Sequence, residues 1–217
     1  MRGVPMSSVQ GSASSRSRRA IIASFLDLLS KYPFEKISIQ SILDQCGYSR
    51  GTFYSQFADK TDLLNQIMTD ELNYCIQCTT GYIQSYKETY RQQKNEVKQA
   101  EDIKKHILGV VSAYFHHVYD NRLLFQLLYD NRLPGHSMTT FAKEVYLQQR
   151  EHFQLKPSGP YKDINTDMYT YQSAYKIILF MTYWIENDFK YSPQYMADQI
   201  VMITEPNFSV FSNLLAE

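Results

Sequence analysis

Residues 38–64 run Ser38-Ile-Gln-Ser-Ile-Leu-Asp-Gln-Cys-Gly-Tyr-Ser-Arg-Gly-Thr-Phe-Tyr-Ser-Gln-Phe-Ala-Asp-Lys-Thr-Asp-Leu-Leu64. Ile39, Ile42 and Leu43 stand at i, i+3 and i+4, which gives a short helix one apolar face. Gly47 follows where that helix must stop, and a residue tolerant of positive φ ends it at little cost. Ser49 is placed to cap a second helix through its hydroxyl. On that helix Phe53 and Phe57 share a face and pack inward, leaving Arg50, Gly51, Thr52, Tyr54 and Ser55 on or near the other. Asp59 is the N-cap candidate of a third helix, with Lys60 in its first turn. Two short helices joined by a tight glycine turn form a helix-turn-helix, whose second helix enters the DNA major groove while the first braces it. Small residues on the outer face let the backbone approach a duplex, and Arg, Thr, Tyr and Ser reach phosphates or base edges. A helical hairpin inside a bundle shares the apolar spacing. The Gly-Tyr-Ser-Arg-Gly-Thr-Phe-Tyr string favours the DNA reader.

Residues 18–64 resemble the N-terminal domain of the TetR family of bacterial transcriptional regulators. The resemblance rests on an opening helix over Arg19–Lys31 and on Pro33-Phe34-Glu35-Lys36-Ile37-Ser38-Ile39 leading into the next. It continues through Gly47-Tyr48-Ser49-Arg50-Gly51-Thr52-Phe53-Tyr54 and Phe57-Ala58-Asp59-Lys60-Thr61-Asp62-Leu63-Leu64. It implies phosphate contacts at Tyr54 and Lys60. In two places the chain departs from the pattern: Pro33 stands where many members have Gly, and Gln56 where many have His. The first is an alternative turn; the second weakens one phosphate contact and leaves the fold intact. The candidate DNA-binding residues are Arg16, Arg18, Ser38, Gln40, Ser49, Arg50, Gly51, Thr52, Tyr54, Ser55 and Lys60.

At 217 residues the chain is long enough for one or two domains with a sizeable core. Its 18 Tyr and 12 Phe predict an interior of rings with polar tips. There is no apolar run of about 18 residues, so no membrane span is expected. The Ser-rich N-terminus has no apolar core before a cleavage site, so it is not read as a signal peptide, and a cytoplasmic location is expected. The net charge of zero conceals an asymmetry. Residues 1–60 hold eight Lys and Arg against four Asp and Glu, and the remainder holds 14 against 18. The positive field therefore lies at the end that carries the motif. Arg16, Arg18 and Arg19 stand where an arm could lie along phosphates, with a solvated tail as the alternative. Residues 1–15 are read as a disordered tail, 16–64 as the DNA-binding domain and 65–217 as a regulatory and dimerisation domain.

Cys75 and Cys78 form a C-x-x-C inside a helical stretch, with no second pair for a zinc site, and are read as packed thiols. A redox sensor would need one of them exposed with a lowered pKa. His116 and Asp120 share i, i+4 spacing but lack a third metal ligand. No metal and no cofactor are expected. Nor is an enzyme, since the chain has no nucleophile–base pair and no Gly-rich phosphate loop.

Beyond residue 60 the pattern stays helical, which makes the expected fold all-α. A long helix starts at Asp59 and passes Cys78 towards Tyr90. The polar stretch Arg91–Glu101 is either its extension or a loop. Apolar periodicity returns from Ile103 to Phe115, then from Leu123 to Leu128, Met138 to Phe153 and Thr166 to Asp188, with a loop at Lys156–Pro160. Pro193 opens a further helix, and Pro206 separates it from a last piece over Phe208–Leu215. The last two long helices carry the dimer-interface candidates Ile177, Met181, Trp184, Ile200 and Ile203, which could equally complete the subunit core. The resemblance implies a four-helix dimer contact there and a small-molecule pocket among the middle helices. Tyr82, Tyr86, Tyr114, His117, Tyr171 and Tyr175 are the effector candidates, because such rings combine apolar walls with hydrogen-bonding ends.

The expected function is a ligand-responsive repressor. It would bind a palindromic double-stranded DNA operator as a homodimer and be released by a small-molecule effector of unknown identity. The alternative is a TetR-like coactivator or partner-binding protein in which the helix-turn-helix is mainly structural.

Overall fold

The computed structural model describes residues 13–92, 96–152, 155–157 and 162–204, with side chains except at 13, 82–92, 96–101 and 103. Nine α-helices follow one another among them: α1 (Ala13–Lys31), α2 (Ile39–Cys46), α3 (Arg50–Tyr54), α4 (Lys60–Gln92), α5 (Glu96–Asp120), α6 (Arg122–Tyr129), α7 (Met138–His152), α8 (Thr166–Glu186) and α9 (Pro193–Thr204). A single 3-10 turn, Phe34–Lys36, joins α1 to α2, and no strand occurs among the described residues. The all-helical class is as expected, with a small N-terminal helix-turn-helix unit followed by a larger helical domain.

The short helices hold because their ends are capped. Ser38 Oγ accepts from the Ser41 amide at 3.0 Å while Ser41 Oγ accepts from the Ser38 amide at 3.1 Å, a reciprocal capping box at the start of α2. Gly47 ends α2 at φ +74°, its amide donating to Leu43 O at 2.8 Å. Ser49 Oγ accepts from the Thr52 amide to start α3, and Asp59 Oδ1 accepts from the Thr61 and Asp62 amides to start α4. Caps of this kind are worth about 1 kcal/mol each, which is decisive for helices too short to persist alone.

Ile21, Phe25 and Leu29 of α1 are fully buried with Ile42, Phe53, Phe57 and Leu63, and this cluster runs without a break into the larger domain. There Phe115, Phe125, Phe141, Met181 and Trp184 fill the centre. Trp184 packs its ring on Phe115 at 5.3 Å and Phe189 at 5.1 Å, and its Nε1 donates to Tyr191 O at 3.1 Å. Side by side lie α4 with α5, α7 with α8, and α5 with α9. Arg132 ties the loop after α6 to the end of α1 across about a hundred residues. Arg132 Nη2 donates to Leu29 O at 2.8 Å and Tyr32 O at 3.3 Å, satisfying carbonyls that the helix end leaves open.

One boundary differs from the sequence reading, and one that it left open is decided. Helix α1 begins at Ala13, ahead of Arg19, and takes in residues 13–15 of the expected tail. Tertiary anchors carry it there: Ser17 is buried and donates to Ser14 O, and Arg18 reaches across to α4. The polar stretch at 91–101 belongs largely to helix, with α4 running to Gln92 and α5 starting at Glu96. The expected final piece at 208–215, most of the expected tail and the Pro160 end of the expected loop lie outside the described residues.

Gly47 sits in the left-handed region with nothing within 4 Å of a Cβ built on it, so strain alone should set the cost of a side chain there. We predict that Gly47→Ala lowers unfolding stability by about 1 kcal/mol, read from the urea midpoint at unchanged m-value. An unchanged midpoint contradicts the cap.

Candidate nucleic-acid interface

The outer face of α3 is built from what packing left over. Phe53 and Phe57 are turned inward, their rings 5.4 Å apart, and this commits the helix to present Arg50, Gly51, Tyr54 and Ser55 to solvent. Tyr54 is 54% exposed, its ring braced edge-on against Phe53 at 5.5 Å with the hydroxyl at the surface. Arg50 Nε donates to Gln40 Oε1 at 3.0 Å, and Gln40 in turn donates to Asp44 at 2.7 Å. That chain orients the guanidinium and leaves its terminal nitrogens without a partner among the described residues. Gly51 has only Ser49 Oγ, at 3.8 Å, near the place of a Cβ. An added Cβ would meet no closer atom among the described residues, so packing there does not require a glycine.

Other sequence candidates are already engaged. Ser38 and Ser49 spend their hydroxyls on caps, and Thr52 Oγ1 shares a 3.0 Å hydrogen bond with Ser49 Oγ. Lys60 is half-buried: its Nζ donates to Phe34 O at 2.7 Å and Ile37 O at 2.9 Å and lies 4.3 Å from the Phe34 ring centre. Arg18 faces α4, donating to Gln66 Oε1 and to Asp70 Oδ2, both at 2.8 Å, over the Phe57 ring. Arg16 is exposed. Gln56, the departure from the family pattern, donates to Ser17 Oγ at 2.9 Å and Thr52 O at 3.2 Å and so pins α3 to α1. The residues brought together at the surface are therefore Gln40, Arg50, Gly51, Tyr54 and Ser55, with Arg18 and Lys60 acting first as braces. Sequence reasoning missed Arg132 as a clasp, because its partners are about a hundred residues away and no spacing signals them.

The effector candidates do not converge among the described residues. Tyr82 and Tyr86 lie on α4 where side chains are not described. Tyr114 is buried, its hydroxyl donates to Met181 Sδ at 3.4 Å, and burial holds it well above the usual tyrosine range. His117 joins α5 to α4 through a 2.6 Å contact with Glu71 Oε2 and stacks on Tyr74 at 3.8 Å. Tyr171 and Tyr175 stack on each other at 4.3 Å, with Tyr171 at the surface.

The dimer candidates divide in the same way. Met181 and Trp184 are 0% exposed and Ile200 is 3% exposed, so their side chains are consumed by the subunit's own core. Ile177 is half-buried against that core, while Ile203 is 61% exposed. The exposed large apolar residues are instead Met168, Tyr171, Leu179 and Tyr183 on α8 and Tyr195, Met202 and Ile203 on α9. Helix α8 is apolar nearly all round, so periodicity could not say which face its neighbours would take.

No group of three His, Cys, Asp or Glu is placed to hold a metal among the described residues, and His116 Nδ1 turns to Ser112 O at 2.7 Å. No described helix is long and apolar enough to cross a membrane. Burial pushes the Cys75 thiol up to about 12, with Cys78 beside it adding to the rise, and burial raises Cys78 as well. Both shifts oppose the thiolate that redox chemistry needs. Because the folded state keeps the Cys75 proton, that contribution to stability is complete below the unfolded value of 9.0 and is lost as pH rises towards about 12. We predict that Cys75 resists iodoacetamide at neutral pH in the native protein and that Cys75→Ala flattens the alkaline fall in stability. Rapid native labelling of Cys75 contradicts this.

Residues 21–67 match the family model described as bacterial regulatory proteins, tetR family, and residues 105–206 match the model described as transcriptional regulator C-terminal region. Among solved structures, the fatty acid degradation regulator FadR from Bacillus halodurans is 12% identical, with 90% of this chain and 96% of that one covered at a TM-score of 0.55. FadR from Bacillus subtilis, solved in complex with stearoyl-CoA, is 17% identical, with 85% and 96% covered at a TM-score of 0.50. A TetR transcriptional regulator from Streptococcus agalactiae is 18% identical, with 88% and 94% covered at a TM-score of 0.46. No curated protein matches the chain.

Proposed function

The chain belongs to the TetR family of bacterial transcriptional regulators, and we propose that it is a ligand-responsive repressor that binds a palindromic operator as a homodimer. The observation that carries this reading is the outer face of α3, where an oriented guanidinium and a phenol flank a glycine that packing does not require. A bare backbone at the second residue of a recognition helix lets it sit deep in the groove. Arg50 can then reach a guanine edge or a phosphate, and Tyr54 a phosphate. The free amides at the start of α3 add a local positive field.

A second subunit supplies the second half-site, since one short reading helix covers only a few base pairs. Exposed Leu179, Tyr183, Met202 and Ile203 support a contact through α8 and α9, where the apolar surface is otherwise left in water. Effector binding in the larger domain would act through α4, which begins inside the DNA-binding unit and ends among the regulatory helices. Release requires the effector to bind more tightly to the arrangement of α4 that does not fit DNA.

Three variants test these roles on DNA selected by the protein from a random-sequence pool. Gly51→Ala should leave folding intact, or raise stability by up to about 1 kcal/mol through helix propensity, while weakening DNA binding. Arg50→Ala should cost about 1–3 kcal/mol of binding and relax preference at one position of each half-site. Unchanged affinity in both, or binding by the wild type that does not weaken with added salt, refutes the α3 assignment. Leu179→Asp should yield a monomer by native mass spectrometry and reduce DNA affinity with it; a dimer that persists puts the contact elsewhere.

A further inference from the structure

We propose that the recess between α4 and α7 is an effector site, and that it takes a small organic cation: a primary ammonium on a short apolar body. The inference rests on the ligand-responsive reading above and names a site that none of the sequence candidates occupies. The recess has a volume of about 360 Å³, within the roughly 300–1,000 Å³ typical of ligand pockets. Its walls are two matched helical stripes, Asn65, Met68, Thr69 and Leu72 on α4 and Glu144, Leu147 and Gln148 on α7, with His136 closing one end.

Chemistry selects the ligand class. Buried Met68, half-buried Leu72 and exposed Leu147 give the lining an apolar part for a short chain or a small ring. Glu144 is half-buried and no described residue pairs with its carboxylate, while the lining contains no Lys or Arg. A half-buried carboxylate with no cation paired to it among the described residues can accept charge-assisted hydrogen bonds from an ammonium that replaces water beside it. The side-chain carbonyls of Asn65 and Gln148 offer further acceptors for the remaining N–H groups. An anionic head group would meet the like charge of Glu144 in this lining.

The recess is also wired to the reading head. Its α4 wall is the part of that helix directly after the helix-turn-helix, sharing Leu63, Leu64 and Ile67 with the DNA-binding core. Its end wall, His136, approaches Asn65 Oδ1 at 3.3 Å and belongs to the same loop as Arg132, whose guanidinium clasps the last carbonyls of α1. A ligand that parts α4 from α7 therefore moves both attachments of the DNA-binding unit at once.

The test is isothermal titration of the full-length protein with n-hexylammonium, hexanol and hexanoate, together with DNA binding in the presence of each. Hexylammonium should bind, hexanol more weakly and hexanoate not at all, and hexylammonium alone should reduce affinity for the selected DNA. Glu144→Gln should weaken hexylammonium by about tenfold or more with an unchanged melting temperature, since the group has no partner to lose. Leu147→Trp, which fills the mouth, should weaken it as well. The proposal is overturned if no hexylammonium binds at millimolar concentration, or if binding survives Glu144→Gln undiminished. It is also overturned if hexanoate binds as tightly as hexylammonium, since Glu144 would then not select the charge of the ligand. DNA binding by the ligand-free protein separates the two readings. If DNA binds and hexylammonium does not, only the cation site falls; if hexylammonium binds and DNA never does, the site stands and the repressor reading falls.

Discussion

Helix α4 has to satisfy two sets of neighbours along one axis, and the arrangement of the molecule follows from that constraint. Leu63, Leu64 and Ile67 are buried with α1 and the helix-turn-helix, while Met68 and Cys75, on the turns that follow, are buried in the same continuous cluster as Tyr114 and Phe115 of α5. Burying side chains of this size contributes about 1.5–3 kcal/mol each, so neither set can be released cheaply. A rigid helix shared in this way turns a displacement in one domain into a displacement in the other. Polar ties reinforce it: Arg18 to Gln66 and Asp70 on one side, and His117 to Glu71 on the other.

The reading surface is small because capping consumes much of the polar chemistry around it. Helices of five and eight residues cannot persist without their ends satisfied, and Ser38, Ser41 and Ser49 meet that need. Gln56 and Lys60 are likewise drawn inward, to Ser17 and to the carbonyls of Phe34 and Ile37. Arg50, Gly51 and Tyr54 stay exposed, and no end of a helix depends on their side chains. Binding chemistry at the surface and structural chemistry beneath it use the same residue types, and only the hydrogen-bond partners tell them apart.

Regulation has a comparable economy. The rings that combine apolar bodies with polar tips are mostly committed: Tyr114 to the core, His117 to its contact with Glu71, and Tyr171 to a surface stack with Tyr175 and Tyr146. Glu144 is uncommitted among the described residues, at a recess whose walls adjoin both the start of α4 and the loop that carries Arg132. An uncommitted charge beside a two-domain helix is a place where modest binding energy can shift the balance between two arrangements.

The sequence alone determined the helix-turn-helix, the all-helical class and the order of the elements. Each depends on short-range physics: apolar residues three and four apart, a glycine where φ must be positive, and serines and an aspartate before helical runs. It also located the positive end of the chain, since charge is additive along a sequence. Only the tertiary structure decided that α1 reaches back to Ala13, that Lys60 and Arg18 serve as braces, and that Met181, Trp184 and Ile200 fill the core while Leu179 and Ile203 stay outside. It alone joined Arg132 to α1 and placed Glu144 and Asn65 in one recess. These are matters of which face of an amphipathic or wholly apolar helix meets which neighbour, and of contacts between residues up to about a hundred positions apart, for which no local spacing leaves a mark.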